Sequence, residues 1–137
     1  MEDAFRDLLI SACERPAMYV GRNSLWDLAH YFAGYCHGAM DAGVILHFES
    51  RFQCWIEGRF GISHCAWNWV RILQHEYGDD LKAIKALPAL YDEFRTETEG
   101  MSKSQLWKMM QERIIEKRGT DHWSPDDAET WTRPFSE

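Results

Sequence analysis

Apolar residues recur at three- and four-residue spacing along most of this chain, the period of helices that bury one face. Phe5, Leu8, Leu9 and Ala12 share a face between Asp3 and Glu14, and Glu2 and Asp3 suit the positive end of that helix. Arg15-Pro16 then stops it, because a residue before proline resists helical angles. A second helix is predicted from Leu25 to about Asp41. Ser24 and Asp27 have the spacing of a capping box, with Asp in place of the usual Glu. Leu25, Leu28, Ala29, Phe32, Tyr35, Cys36 and Ala39 build its apolar face, and Gly43 is a candidate cap. Gly34 and Gly38 offer a stripe without side chains, which would let another helix approach closely.

The stretch 44–62 is ambiguous. Phe48, Phe52, Trp55 and Ile56 fit a helix, whereas Phe52, Cys54 and Ile56 alternate and Glu57-Gly58 could close a hairpin. The helix is the favoured reading. A fourth helix is expected to follow Ser63, with Ala66, Trp69, Val70, Leu73 and Tyr77 on one face and Gly78 at its end. A fifth begins at Asp79 or Asp80 and carries Leu81, Ile84, Leu87, Tyr91 and Phe94. Pro88 lies inside it and predicts a kink or two short helices. A sixth starts near Ser102, where Ser102 and Gln105 again have capping-box spacing. It turns Leu106, Met109, Met110 and Ile114 inward and stops at Gly119.

These elements predict an all-α, compact bundle of five to six helices over residues 1–119, the alternative being α+β with a hairpin in 44–62. A tail, 120–137, follows. It is polar but holds Trp123, Trp131 and Phe135, and Ser124-Pro125 with Asp127 reads as the start of a short helix. Three large aromatics in so short a tail point to packing on the body, or to burial by a partner.

A length of 137 residues fits one domain, and 45% hydrophobic residues suffice for one core. The formal charge of −7 makes nucleic acid and membrane surfaces poor partners and basic proteins favourable ones. Charged residues interrupt the first apolar stretch as a signal peptide would not allow, and the longest uncharged run, Leu28 to Met40, is too short to span a bilayer. Cys13, Cys36, Cys54 and Cys65 are widely spaced, without a CxxC. A cytoplasmic protein with reduced, mostly buried thiols is the expectation.

Cys36-His37, His47, Cys54, His64-Cys65 and His75 could converge on a metal, but lack the close pairing of zinc ligands, and neighbours on a helix diverge by about 100°. His75 and Asp79 sit four apart with no third ligand nearby. Cys65 with His64 or His75, or Cys36 with His47, could form a dyad, yet nothing marks these thiols as activated. No GxSxG, P-loop or dinucleotide fingerprint occurs. The expectation is no metal, no cofactor and no enzyme, with a thiol- or metal-dependent enzyme as the remote alternative.

Arg15-Pro16-Ala17-Met18-Tyr19-Val20-Gly21 is the most motif-like segment. Physically it is a rigid connector. Pro16 breaks the first helix, Met18, Tyr19 and Val20 are expected to plug the core, and Gly21 permits a turn. It resembles the RPGMYIG segment of type II topoisomerase ATPase domains. The Mg-binding residue, DxGxG turn and Gly-rich lid of those enzymes are missing, and that reading is rejected. With Ser24-Leu25, Gly34-Tyr35, Trp69 and Glu93-Phe94, the segment is similar instead to small bacterial RPxMYxG proteins, which resemble immunity proteins of bacterial toxin systems. The likeness covers roughly residues 10–95, and Ala17 departs from the usual Gly. It implies a chain that binds and neutralises a toxin.

The acids then suggest where. Glu76, Asp79 and Asp80 gather at one helix junction, and Asp92, Glu93, Glu97 and Glu99 near the end of the next helix, with Lys82, Lys85 and Arg95 as the bases close by in sequence. Helix starts explain Asp79 and Asp80 but not Glu97 and Glu99, which oppose the dipole at a C-terminus. The expected site is an acidic surface for a basic toxin domain, with Trp123 or Trp131 as aromatic anchors. The alternative is a small structural or regulatory oligomerisation module using the Gly34/Gly38 face, and the oligomeric state is left open.

Overall fold

A computed structural model describes residues 2–44, 46, 48–62 and 67–118, and these form an all-α bundle. Seven helices follow in order: α1 Glu2–Glu14, α2 Pro16–Val20, α3 Leu25–Asp41, α4 Phe48–Phe60, α5 Trp69–Tyr77, α6 Asp80–Thr98 and α7 Lys103–Arg118. The tail 120–137, and with it Trp123 and Trp131, lies outside the described residues, as do His47, His64 and Cys65.

Capping chemistry fixes most helix starts. Ser24 Oγ accepts from the Asp27 N–H at 3.2 Å and begins α3, as its spacing predicts. Asp79 Oδ1 accepts from the Lys82 N–H at 2.7 Å and begins α6. Before α7, Ser102 and Gln105 form the reciprocal box, each side chain accepting from the other's backbone N–H. Asn68 caps α5, so that helix opens at Trp69 rather than directly after Ser63; Ala66 lies outside the described residues.

The ambiguous stretch is helical. α4 is buried on nearly all sides: Phe48, Phe52, Trp55 and Ile56 face one part of the core, and Cys54, Glu57 and Gly58 are buried as well. Its most extensive neighbour is α7, with α5 and α6 also against it. A helix covered on most of its surface has little polar face to set a 3.6-residue period, which is why its sequence also reads as alternating. A Cβ added to Gly58 would stand 3.0 Å from Met110 Cα, so glycine lets the α4 and α7 backbones approach there.

Two expectations need correction. α6 runs unbroken from Asp80 to Thr98 through Pro88. The proline removes one helical hydrogen bond, but Ile84 and Leu87 before it and Leu90, Tyr91 and Phe94 after it are buried in the same core and keep the two halves in one helix rather than two short ones. The 15–21 connector contains a helix of its own, with Pro16 at its first position and Gly21 closing it at φ 83°. Pro16 is the buried residue there. Met18 is 75% exposed and Tyr19 is also exposed, so these two side chains do not plug the core.

Candidate functional site

The acids predicted as a patch meet arginines that sequence neighbours do not reveal. Arg6 of α1 makes a two-point pair with Asp92, Nε to Oδ1 at 2.7 Å and the second nitrogen to Oδ2 at 3.0 Å. This pairing holds the Asp92 carboxyl below the usual carboxylate range. Arg59 of α4 donates to Glu93 at 2.9 Å. Glu97 accepts from the Trp55 indole N–H at 2.9 Å and pairs with Arg113 of α7 at 2.7 Å. Burial opposes ionisation of Glu97, but Arg113 and the Trp55 N–H together keep its pKa lowered. The bases near α6 are therefore not only Lys82, Lys85 and Arg95. Arg6, Arg59 and Arg113 arrive from three other helices.

Asp80 is also engaged inside the bundle. Its two oxygens accept from the Leu25 N–H and from the Gln74 side-chain amide, both at 2.9 Å, tying the start of α6 to α3 and α5. Asp79 is a cap with Lys82 alongside at 4.0 Å. Among the predicted acids, Glu76, Asp79 and Glu99 are exposed.

A different surface stands out, on α2 and α3. Seven large apolar side chains are exposed among the described residues, and five of them, Met18, Tyr19, Trp26, Tyr31 and Met40, lie on these two helices. Helical spacing puts Trp26, Ala33 and Met40 along one edge of the outer face of α3, and Tyr31 and Gly38 along the other, with Gly34 between. The Tyr19 and Tyr31 rings meet edge to face at 5.9 Å, joining α2 to this face, and Trp26 lies beside His30 at 6.1 Å. No Asp, Glu, Lys or Arg occurs from Leu28 to Met40, although His30, Tyr31, Gly34, His37, Gly38 and Met40 are all exposed. Charges border the face at the Arg22–Asp27 ion pair and at Asp41, and the exposed Arg15 guanidinium reaches the Met18 sulfur at 3.9 Å.

Gly34 and Gly38 have nothing within 4 Å of where a Cβ would stand, so none of the described helices uses the stripe. The sequence carries the signal for this surface, because an uncharged run that forms a half-exposed helix must show an uncharged face to solvent.

The three described thiols are all shifted away from activation. Burial pushes Cys13 up to about 12, Cys36 to about 11 with Glu49 adding to the effect, and Cys54 to about 12 with help from Glu57. Among the described residues no three His, Cys, Asp or Glu side chains come together as metal ligands, and no helix is long and apolar enough to cross a membrane.

Two larger concave regions lie among the described residues. One, about 560 Å³, lies between α1, the start of α4 and the end of α6, with Arg51 donating to the Met101 carbonyl at 2.7 Å on its wall. The other, about 460 Å³, runs beside the Trp26 edge of α3. No family model, curated protein or solved structure matches the chain.

Proposed function

We propose that the chain is a partner-binding protein of the immunity type, which holds a cognate toxin against the outer face of α2 and α3. One observation carries this reading: an exposed helix face that is uncharged along its length and edged by Trp26, Tyr31, Tyr19 and two methionines. Aromatic and methionine side chains are the residues that interfaces favour, and charge is what their centres lack. Of the residues behind the immunity-protein resemblance, Met18, Tyr19 and Gly34 lie on this face, whereas Pro16, Leu25, Trp69 and Phe94 are buried in the bundle. Met18 and Tyr19 are exposed rather than spent on packing.

The acidic surface keeps a secondary part. Asp80, Asp92, Glu93 and Glu97 are bound within the bundle, which leaves Glu76, Asp79 and Glu99 with the overall charge of −7 to draw in a basic toxin domain. Steering and docking thus fall on different residues.

Co-expression with the toxin encoded beside this gene tests the reading. The intact chain restores growth, and Tyr19→Ala or Trp26→Ala weakens toxin binding by about 30-fold, the size of an interface hot spot. Undiminished binding by both variants would remove α2–α3 as the docking face. A second reading, self-association through the Gly34/Gly38 stripe, is favoured by the open space over both glycines. Light scattering after size exclusion decides it: a dimer that Gly34→Leu converts to monomer supports self-association, and a monomer at all concentrations rejects it.

A further inference from the structure

We infer that the groove between α3 and the starts of α4 and α5 receives an arginine or lysine side chain of the bound protein partner. This deepens the reading above and rests on it. The groove, about 460 Å³, is walled by Trp26, His30 and Ala33 of α3, by Glu49 and Gln53 of α4, and by Trp69 at the start of α5. That volume falls within the range of sites that enclose small ligands, about 300–1,000 Å³, and has room for a long side chain with its aliphatic stem.

Its chemistry favours a cation. Glu49 carries the one formal charge among the described lining residues. It is exposed, makes no ion pair among the described residues, and stands close enough to α3 for its charge to raise the Cys36 thiol. The carboxylate therefore sits at the seam that forms the groove. Trp26 presents a half-open indole on the opposite wall, and the face of an indole attracts guanidinium and ammonium groups. Gln53 cannot compete for the occupant, since its Nε2 donates to the Trp67 carbonyl and its Oε1 accepts from the Trp69 N–H. An acid on the first turn of α4 also suits that helix's dipole, but the dipole does not account for Trp26 lining the same groove. A carboxylate, an aromatic face and a net charge of −7 all select the same sign of ligand.

The test uses the full chain and three small probes followed by amide and indole NMR shifts: N-acetyl-arginine amide, the uncharged isostere N-acetyl-citrulline amide, and N-acetyl-glutamate amide. Saturable shifts at the Trp26 indole N–H and at the Ala33 and Glu49 amides are expected with the arginine probe at millimolar concentration. The citrulline probe should be at least tenfold weaker and the glutamate probe without effect. Glu49→Gln, with the dispersion of the spectrum preserved, should bring arginine down to the level of citrulline. Equal shifts from arginine and citrulline, arginine shifts spread over the surface without saturation, or an unchanged response in E49Q would each overturn the proposal. The probes need no toxin, so the two readings fail separately. Arginine binding by a chain that never rescues toxin-expressing cells rejects the toxin and keeps the groove. Full rescue by a chain whose groove ignores arginine does the reverse.

Discussion

The Trp55 indole N–H donates to Glu97 at 2.9 Å, and Arg113 grips the same carboxylate at 2.7 Å. An acid that opposes its own helix dipole thereby becomes a junction of three helices, α4, α6 and α7. This is a structural reason for Glu97, and it separates bundle stability from partner recognition at a residue where the sequence suggested recognition alone.

Glu97→Gln should therefore unfold more easily, by about 1–2 kcal/mol, because a partly buried donor pair loses its charged acceptor. The midpoint of urea denaturation, followed by tryptophan fluorescence, measures the loss. Partner affinity at fixed folded concentration should stay within about twofold, as expected of a residue away from the docking face. A large loss of affinity in the folded variant would return Glu97 to the interface.

The glycines divide by surroundings. Gly58→Ala should destabilise by about 1–3 kcal/mol, since its methyl group meets the Met110 backbone across α4 and α7. Gly34→Ala and Gly38→Ala should each stabilise by about 0.5–1 kcal/mol, because both are helical, exposed and unobstructed. Thermal melts of the three variants check the opposite signs.

Glu57 introduces a pH dependence. Burial raises its pKa from 4.5 to about 7, against the opposing effect of the Gln53 hydrogen bond. The folded chain holds this proton more tightly than the unfolded one, so stability is lost as pH rises from about 4.5 to about 7. The full difference is at most about 3 kcal/mol. Glu57→Gln should raise the denaturation midpoint at pH 8 and leave it nearly unchanged at pH 4. Equal gains at both pH values would show that ionisation is not the cause.

Cys13, Cys36 and Cys54 should resist alkylation in the folded state. With Cys65→Ser as background, iodoacetamide at pH 8 should modify none of the three at an appreciable rate until denaturant is added, as their buried, raised thiols require. Rapid modification of any one in the native protein would mark an opening that the closed bundle lacks.

Local chemistry was the legible part of this molecule. The bounds of α3, its Ser24 cap, the Ser102–Gln105 box and the turn at Gly21 follow from short-range rules and stand where those rules put them. α4 was legible only as a preference, because a helix covered on most of its surface loses much of its amphipathic signature. Pro88 misled because a local penalty was set against burial on both sides of it. The ion pairs of the acids were hidden for a related reason. Arg6 lies at the opposite end of the domain from Asp92 in sequence, and only the packing of α1 on α6 pairs them. Exposure of Met18 and Tyr19 was equally out of reach, since an apolar side chain in a short connector reads as core until the neighbouring helices are placed.

The burial of α4 against α7 has a consequence for how the chain matures. The middle helix contributes Phe52, Trp55 and Ile56 to the centre of the core, yet its close partner, at Met110, is made much later in synthesis. Long-separated pairings of this kind delay completion of a fold. A nascent chain halted before Lys103 would carry the greasy flank of Phe48–Phe60 uncovered, a target for chaperones and proteases. Closure of this flank falls to α7, so nonsense or frameshift lesions anywhere upstream of it should yield material the cell removes rather than a shortened working domain.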